Sequence, residues 1–74
     1  MYRLTIPTRS TTIHASMEDA QRFYATARNR SGEGASTFQF GTLTALDTAA
    51  VYSVSYNARV WAGDQLIKEA PAHA

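Results

Sequence analysis

Ser16-Met17-Glu18-Asp19-Ala20-Gln21-Arg22-Phe23-Tyr24-Ala25-Thr26-Ala27-Arg28-Asn29-Arg30-Ser31-Gly32 is the stretch whose reading decides the fold. Met17, Ala20, Phe23, Tyr24 and Ala27 recur at spacings of three and four, which places them on one stripe of an α-helix. Ser16 suits the N-cap, because its hydroxyl can accept the amide of Asp19. Glu18 and Asp19 then face the positive end of the helix dipole, and Arg28 and Arg30 face the negative end. Gly32 and Gly34 end the helix, since glycine adopts the left-handed cap at little cost. Arg22, Ala25, Thr26 and Asn29 fall off the apolar stripe and are expected to meet solvent.

Outward from this helix the pattern has a period of two. Tyr2, Leu4 and Ile6 alternate with Arg3 and Thr5, the signature of a half-buried strand. Pro7 ends that strand, and Thr11-Thr12-Ile13-His14-Ala15 returns as a hairpin partner. After the helix, Phe38 and Phe40 alternate with Thr37 and Gln39. Gly41 interrupts, the apolar phase shifts to Leu43 and Ala45, and a bulge is expected there. Tyr52, Val54 and Tyr56 form a further strand. Asn57-Ala58 is a two-residue turn candidate, with Asn57 the residue that tolerates positive φ. Arg59-Val60-Trp61 returns, and Gln65-Leu66-Ile67-Lys68 adds a short strand.

The order β-β-α-β-β-β predicts an α+β fold: a single helix on one face of an antiparallel sheet of four to five strands. Residues 1–68 form the domain, and residues 69–74 read as a flexible tail. One helix covers one sheet face, which is expected to hold Leu4, Ile6, Ile13, Phe38, Phe40, Tyr52, Val54 and Val60. Arg3, Thr5, Gln39, Ser53, Ser55, Arg59 and Trp61 then line the open face, as antiparallel sheets allow. On this assignment Phe23→Ala or Phe40→Ala costs ~3 kcal/mol or more, whereas Trp61 is dispensable for folding.

The bulk properties exclude several classes. The chain has 74 residues and no cysteine, so it has neither a disulfide staple nor a thiolate metal site. A domain this small buries only about 60% of its unfolded surface, and self-association is one common support, so a monomer and a homodimer both stay open. No apolar run approaches the ~20 residues of a membrane span, and the first residues lack a signal-peptide core, so a cytosolic location is expected. The net charge of +1 fits neither an acidic DNA mimic nor a strongly basic nucleic-acid coat. Two histidines, His14 and His73, have no partner at ligand spacing, and no nucleophile or phosphate-loop motif is present. No cofactor, metal or catalytic residue is expected.

Binding surfaces have more support. Six of the seven basic residues are Arg, which favours planar bidentate contacts. Arg28 and Arg30 at the helix end, with Arg22 on the exposed face, form one candidate patch. Arg3, Arg59 and Trp61 on the sheet, with Tyr56 at the hairpin tip, form the other. Trp, Tyr and Arg dominate protein interfaces and also suit base stacking and phosphate contact. Both a protein partner and a nucleic acid therefore remain open. The sheet lacks the two helices of an RNA-recognition fold.

Thr12-Ile13-His14-Ala15-Ser16-Met17-Glu18-Asp19-Ala20-Gln21-Arg22 runs a strand into a Ser-capped helix, and Tyr56-Asn57-Ala58-Arg59-Val60-Trp61 closes a later meander. Over about residues 2–67 this layout resembles small phage-encoded anti-CRISPR proteins that act on type I surveillance complexes. Such proteins share no common signature, so the resemblance assigns no functional residue. It implies stoichiometric binding to a protein subunit of the RNA-guided effector, near the guide RNA or the DNA path, that stops target DNA from engaging. Many such proteins are acidic DNA mimics. At net +1 this chain departs from them, which implies a steric mechanism.

Overall fold

Ser16 caps the helix as its side chain dictates. Its backbone is extended, at φ −141° and ψ 164°, and its hydroxyl accepts the Asp19 N–H at 3.1 Å. In the computed structural model, which describes residues 1–72, helix α1 spans Met17–Ser31 and Gly32 closes it at φ 69°. Six strands accompany it: β1 (Tyr2–Ile6), β2 (Ser10–His14), β3 (Gly41–Ala45), β4 (Val51–Val54), β5 (Val60–Ala62) and β6 (Gln65–Lys68). They form one sheet in the order β2-β1-β3-β4-β5-β6, every neighbouring pair antiparallel. The fold is α+β as read, with six strands in place of four to five.

Register decides which side chains the helix covers. Leu4 pairs with Leu43 and Thr12, Leu43 with Tyr52, and Val54 with Val60, so these share the covered face. Leu4, Ile6, Leu43, Val54 and Val60 are fully buried there with Tyr24 and Phe38. Ile13 pairs with Arg3, which puts it on the open face at 52% exposure, where a covered position was expected. The β-branched run alone carries no phase, and the pairing with β1 supplies it.

The segment around Phe38 and Phe40 is not a strand. Thr37 and Phe38 donate their amides to the Gly34 carbonyl in a turn, Phe38 drops into the core, and Phe40 stays 56% exposed. Gly41 does not mark a bulge but opens β3. A Cβ there would lie 3.0 Å from Leu4 Cδ1 and 3.2 Å from Tyr24 Cδ1, so a glycine lets helix and sheet close up. The register shift falls instead between β5 and β6: Val60 pairs with Lys68 and Trp61 with Leu66, which leaves Ile67 as the extra residue.

The buried stripe of α1 is Ala20, Gln21, Tyr24 and Ala25, rotated from the expected one. Ala25 is buried, whereas Phe23 is 37% exposed against the His14 ring, 5.1 Å between centroids. The rotation has a cause on each side. Gln21 donates Nε2 hydrogens to the Ala58 carbonyl (2.8 Å) and the Glu69 carbonyl (2.9 Å), which draws that flank under the β4–β5 loop and the C-terminal segment. On the other flank β2 offers only Ser10, Thr12 and His14, too little apolar surface to enclose Phe23.

The β4–β5 turn also differs from expectation. Ala58 N donates to Ser55 O at 2.8 Å and Ser55 N to Arg59 O at 2.9 Å, giving a three-residue loop, Tyr56 to Ala58. Ala58, not Asn57, takes the left-handed conformation, at φ 67°. That conformation costs an L-residue roughly 1–2 kcal/mol, and the buried Ala58 methyl with its Gln21 hydrogen bond offsets it. The segment expected as a flexible tail is docked through Ala72. Ala70 packs on the core, and Arg22 donates to the Ala72 carbonyl at 3.1 Å. His73 and Ala74 lie outside the described residues.

Two outcomes follow from this packing. Gln21→Ala strips the donors from two carbonyls and should lower urea-unfolding stability by about 2–3 kcal/mol, with an unchanged m-value; a loss under 0.5 kcal/mol would show the bridge to be idle. Tyr24, whose hydroxyl donates to Gln39 O at 2.8 Å, has its pKa pushed by burial from 10.0 to about 12, partly countered by Arg28. The unfolded phenol then ionises first, so stability should fall as pH rises from about 10 to about 12. The Tyr24→Phe variant should lose that part of the alkaline slope in thermal scans.

Candidate functional site

The uncovered face of the sheet is ordered by the same register. Thr11, Thr5, Thr42, Ser53, Trp61 and Leu66 form one row across all six strands, each paired with the next. Toward β2 the face is a hydroxyl surface with Arg3 and Ile13. Toward β5 it becomes aromatic, because Phe40 extends the outward side of β3 beside Ser53 and Trp61.

These residues enclose an open groove of about 570 Å³. Phe40 and Trp61 make its apolar surfaces, with Tyr56 and Asn57 at the hairpin tip, Ser53 on β4 and Ser55 just after it, and Ala35 and Gly63 also lining it. Among the described residues no charged side chain lines it. Two of the aromatic walls, Trp61 and Tyr56, are held in place. Trp61 Nε1 donates to Ser55 Oγ at 2.9 Å, and the Ser55 hydroxyl donates to Asn57 Oδ1 at 2.5 Å. Tyr56 donates its hydroxyl to Glu33 O at 2.9 Å, and its ring meets Phe38 edge-on, 6.5 Å between centroids. A groove whose walls are already fixed loses less side-chain entropy when it is filled.

The residues expected to bind are thereby separated. Tyr56 and Trp61 come together in the groove. Arg59 lies beside it, just before β5, and is paired with Glu69 at 2.8 Å. Arg28 sits behind it, half-buried, donating to Tyr56 O at 2.7 Å with its guanidinium 5.4 Å from the Tyr56 ring centroid. Arg22 is paired with Glu18 across one helical turn and belongs to the helix surface. Arg3 lies on β1, toward the opposite side of the open face, and Arg30 is exposed in the last turn of α1; neither has an ion-pair partner among the described residues. Of the first patch read from the sequence, Arg22 and Arg28 are engaged within the chain, and the second is divided between Arg3 on β1 and Tyr56, Arg59 and Trp61 at the groove.

Phe40 was missed. Its signal was the phase slip at Gly41: with Leu43 and Ala45 inward, Phe40 shares the outward phase of Thr42 and Thr44. His14 has Thr12 Oγ1 at 2.7 Å and the Phe23 ring as neighbours, a local contact at the sheet edge. Among the described residues no group of three or more His, Cys, Asp or Glu side chains is placed to hold a metal ion, and no helix is long and apolar enough to cross a membrane. No protein-family model matches the sequence, and comparisons with curated proteins and with solved structures return no match.

The two phenylalanines of the 38–40 segment should respond oppositely. Phe38→Ala, in the core, should cost ~3 kcal/mol or more, whereas Phe40→Ala should change stability by under about 1 kcal/mol. Thermal unfolding of both variants checks this; an equal loss would place Phe40 in the core.

Proposed function

We propose that this chain is a non-catalytic binding protein that seats an apolar side chain of a protein partner in the Phe40–Trp61 groove. The carrying observation is that this groove is aromatic, pre-oriented and free of charge. Buried aromatic anchors supply most of the energy of protein interfaces. The groove also offers a limited polar complement: the Ser53 hydroxyl and the Asn57 amide nitrogen have no partner among the described residues. A partner backbone can engage both while its side chain fills the cleft.

The resemblance in layout to small anti-CRISPR proteins supports a protein subunit of a type I surveillance complex as that partner, bound stoichiometrically in the host bacterial cytosol. Occupation of such a subunit would block target DNA sterically, in keeping with a near-neutral inhibitor. A nucleic-acid module acting through the same face has less support. Affinity for nucleic acid comes largely from phosphate neutralisation, and Arg59 is already paired with Glu69, which leaves Arg3 away from the groove.

A pull-down tests the proposal. The tagged chain is mixed with purified type I complexes, and co-elution and target-DNA binding are both read. Co-elution with loss of DNA binding is expected. Trp61→Ala and Phe40→Ala should each weaken the complex by about 2 kcal/mol, roughly thirtyfold in Kd, while Arg30→Ala leaves it unchanged. No co-elution with any complex removes the surveillance-complex partner. Steeply salt-dependent binding to free DNA or RNA replaces the protein-partner reading altogether.

A further inference from the structure

The two edges of the sheet are built differently. β6 is guarded in the ways natural edges are guarded: it is four residues long, carries the Ile67 bulge, and ends in Lys68. β2 has none of these devices. Its five residues, Ser10-Thr11-Thr12-Ile13-His14, pair with β1 in unbroken register, contain no Lys, Arg, Asp, Glu or Pro, and are mostly β-branched. Among the described residues no strand lies beside its outer edge. An exposed apolar residue flanks that edge on each side of the sheet: Ile13, 52% exposed, on the open face, and Phe23, 37% exposed, on the helix face against His14.

We propose that β2 is a homodimer edge, at which two copies pair antiparallel about a two-fold axis through Thr12 and join their sheets into one of twelve strands. The occupant is a second copy because the strand is self-complementary in this register. Thr12 meets Thr12, Thr11 meets Ile13, and Ser10 meets His14. Of the nearby cations, Arg9 falls opposite Ala15 and is held by Glu33 of its own chain, and Arg3 lies one strand back, beside Ile13. No like charges face each other, and Thr–Thr is a favourable cross-strand pair. The contact is isologous, so it closes at two copies and does not propagate. β6 is guarded at the far edge, which prevents extension there. The Phe40–Trp61 groove lies on the opposite half of the sheet and stays open in the dimer, so this inference stands independently of the proposed partner.

One strand pair with Ile13 and Phe23 is at the small end of specific interfaces, so association in the micromolar range is expected. Sedimentation velocity over micromolar to millimolar concentrations should show the mass rising from 8.1 kDa toward twice that value. Ile13→Lys should raise the dissociation constant at least about tenfold. Thr11→Lys, also on the exposed side of β2, makes the same test if the first variant unfolds. Leu66→Lys, on β6, should leave the dimer intact. Amide exchange on the unmodified chain gives an independent reading, with β2 amides gaining protection as concentration rises and β6 amides not. A chain that stays at 8.1 kDa throughout, a dimer indifferent to both β2 variants, one broken equally by Leu66→Lys, or unchanged β2 exchange would overturn the proposal.

Discussion

One buried amide ties the two halves of this domain together. Gln21 is fully enclosed, and its Nε2 donates to carbonyls of Ala58 and Glu69, which lie in the β4–β5 loop and just after β6. Both acceptors would otherwise need water, and unpaired buried backbone groups are expensive. The same contact holds Ala58 in a left-handed conformation that an alanine would not choose. Ala58 in turn shapes the three-residue loop that presents Tyr56 and Asn57 and aligns Ser55 with Arg59. Since Ser55 fixes the Trp61 indole, the geometry of the groove traces back to a helix residue on the opposite side of the sheet. Gln21 Oε1, buried without a partner among the described residues, shows what this bridge costs.

The helix and the strands were legible because they are written locally. A serine cap, first-turn acids, last-turn arginines and a terminal glycine specify α1 without reference to anything distant. Alternation specifies most of the strands in the same way, the Thr37–Phe40 segment excepted, which alternates but forms a turn and loop. The facing of each element was legible only where the alternation was clean, as in β1 and β4. It failed at Ile13, Phe23, Ala25 and Phe40, and each failure has one origin. β2 takes its phase from pairing with β1. The helix takes its rotation from Gln21 on one flank and the sparse β2 on the other. Phe40 takes its direction from a strand that begins one residue later, at Gly41. None of these influences is written in the element's own apolar pattern, and burial depends on them.

The arginines mislead for a related reason. Their number suggests a binding surface, yet several act within the fold. Arg9 pairs with Glu33 and lies 4.7 Å from the Phe38 ring centroid, and Arg28 packs on the Tyr56 ring while donating to its carbonyl. A planar guanidinium can stack on an aromatic face and reach past it to a carbonyl, which an ammonium cannot do as well. In a domain with no disulfide and little core, such contacts close the ends of the sheet over Phe38. Arg9 and Arg28 are thereby engaged within the fold, supporting the Phe38 and Tyr56 rings, whereas Arg3 and Arg30 have no ion-pair partner among the described residues.

An exposed phenylalanine beside a tryptophan is a different matter from scattered apolar surface, which every small protein carries. Packing does not require Phe40 outside: Phe38, two residues earlier, already fills the core position opposite Tyr24, edge-on at 5.4 Å between centroids. The sheet's hydroxyl row shows that this face can be covered with polar groups from β2 to β4. The row turns apolar only at Trp61 and Leu66, next to Phe40. The hydrogen bond from Trp61 Nε1 to Ser55 uses up the indole's one donor, so the ring is displayed as an apolar surface and not as a polar group seeking a partner. Along that row the face is polar from β2 to β4 and aromatic beside the hairpin tip, with Ile13 and Val51 exposed singly elsewhere on it; an apolar centre in a largely polar surround is the division expected of an interface core.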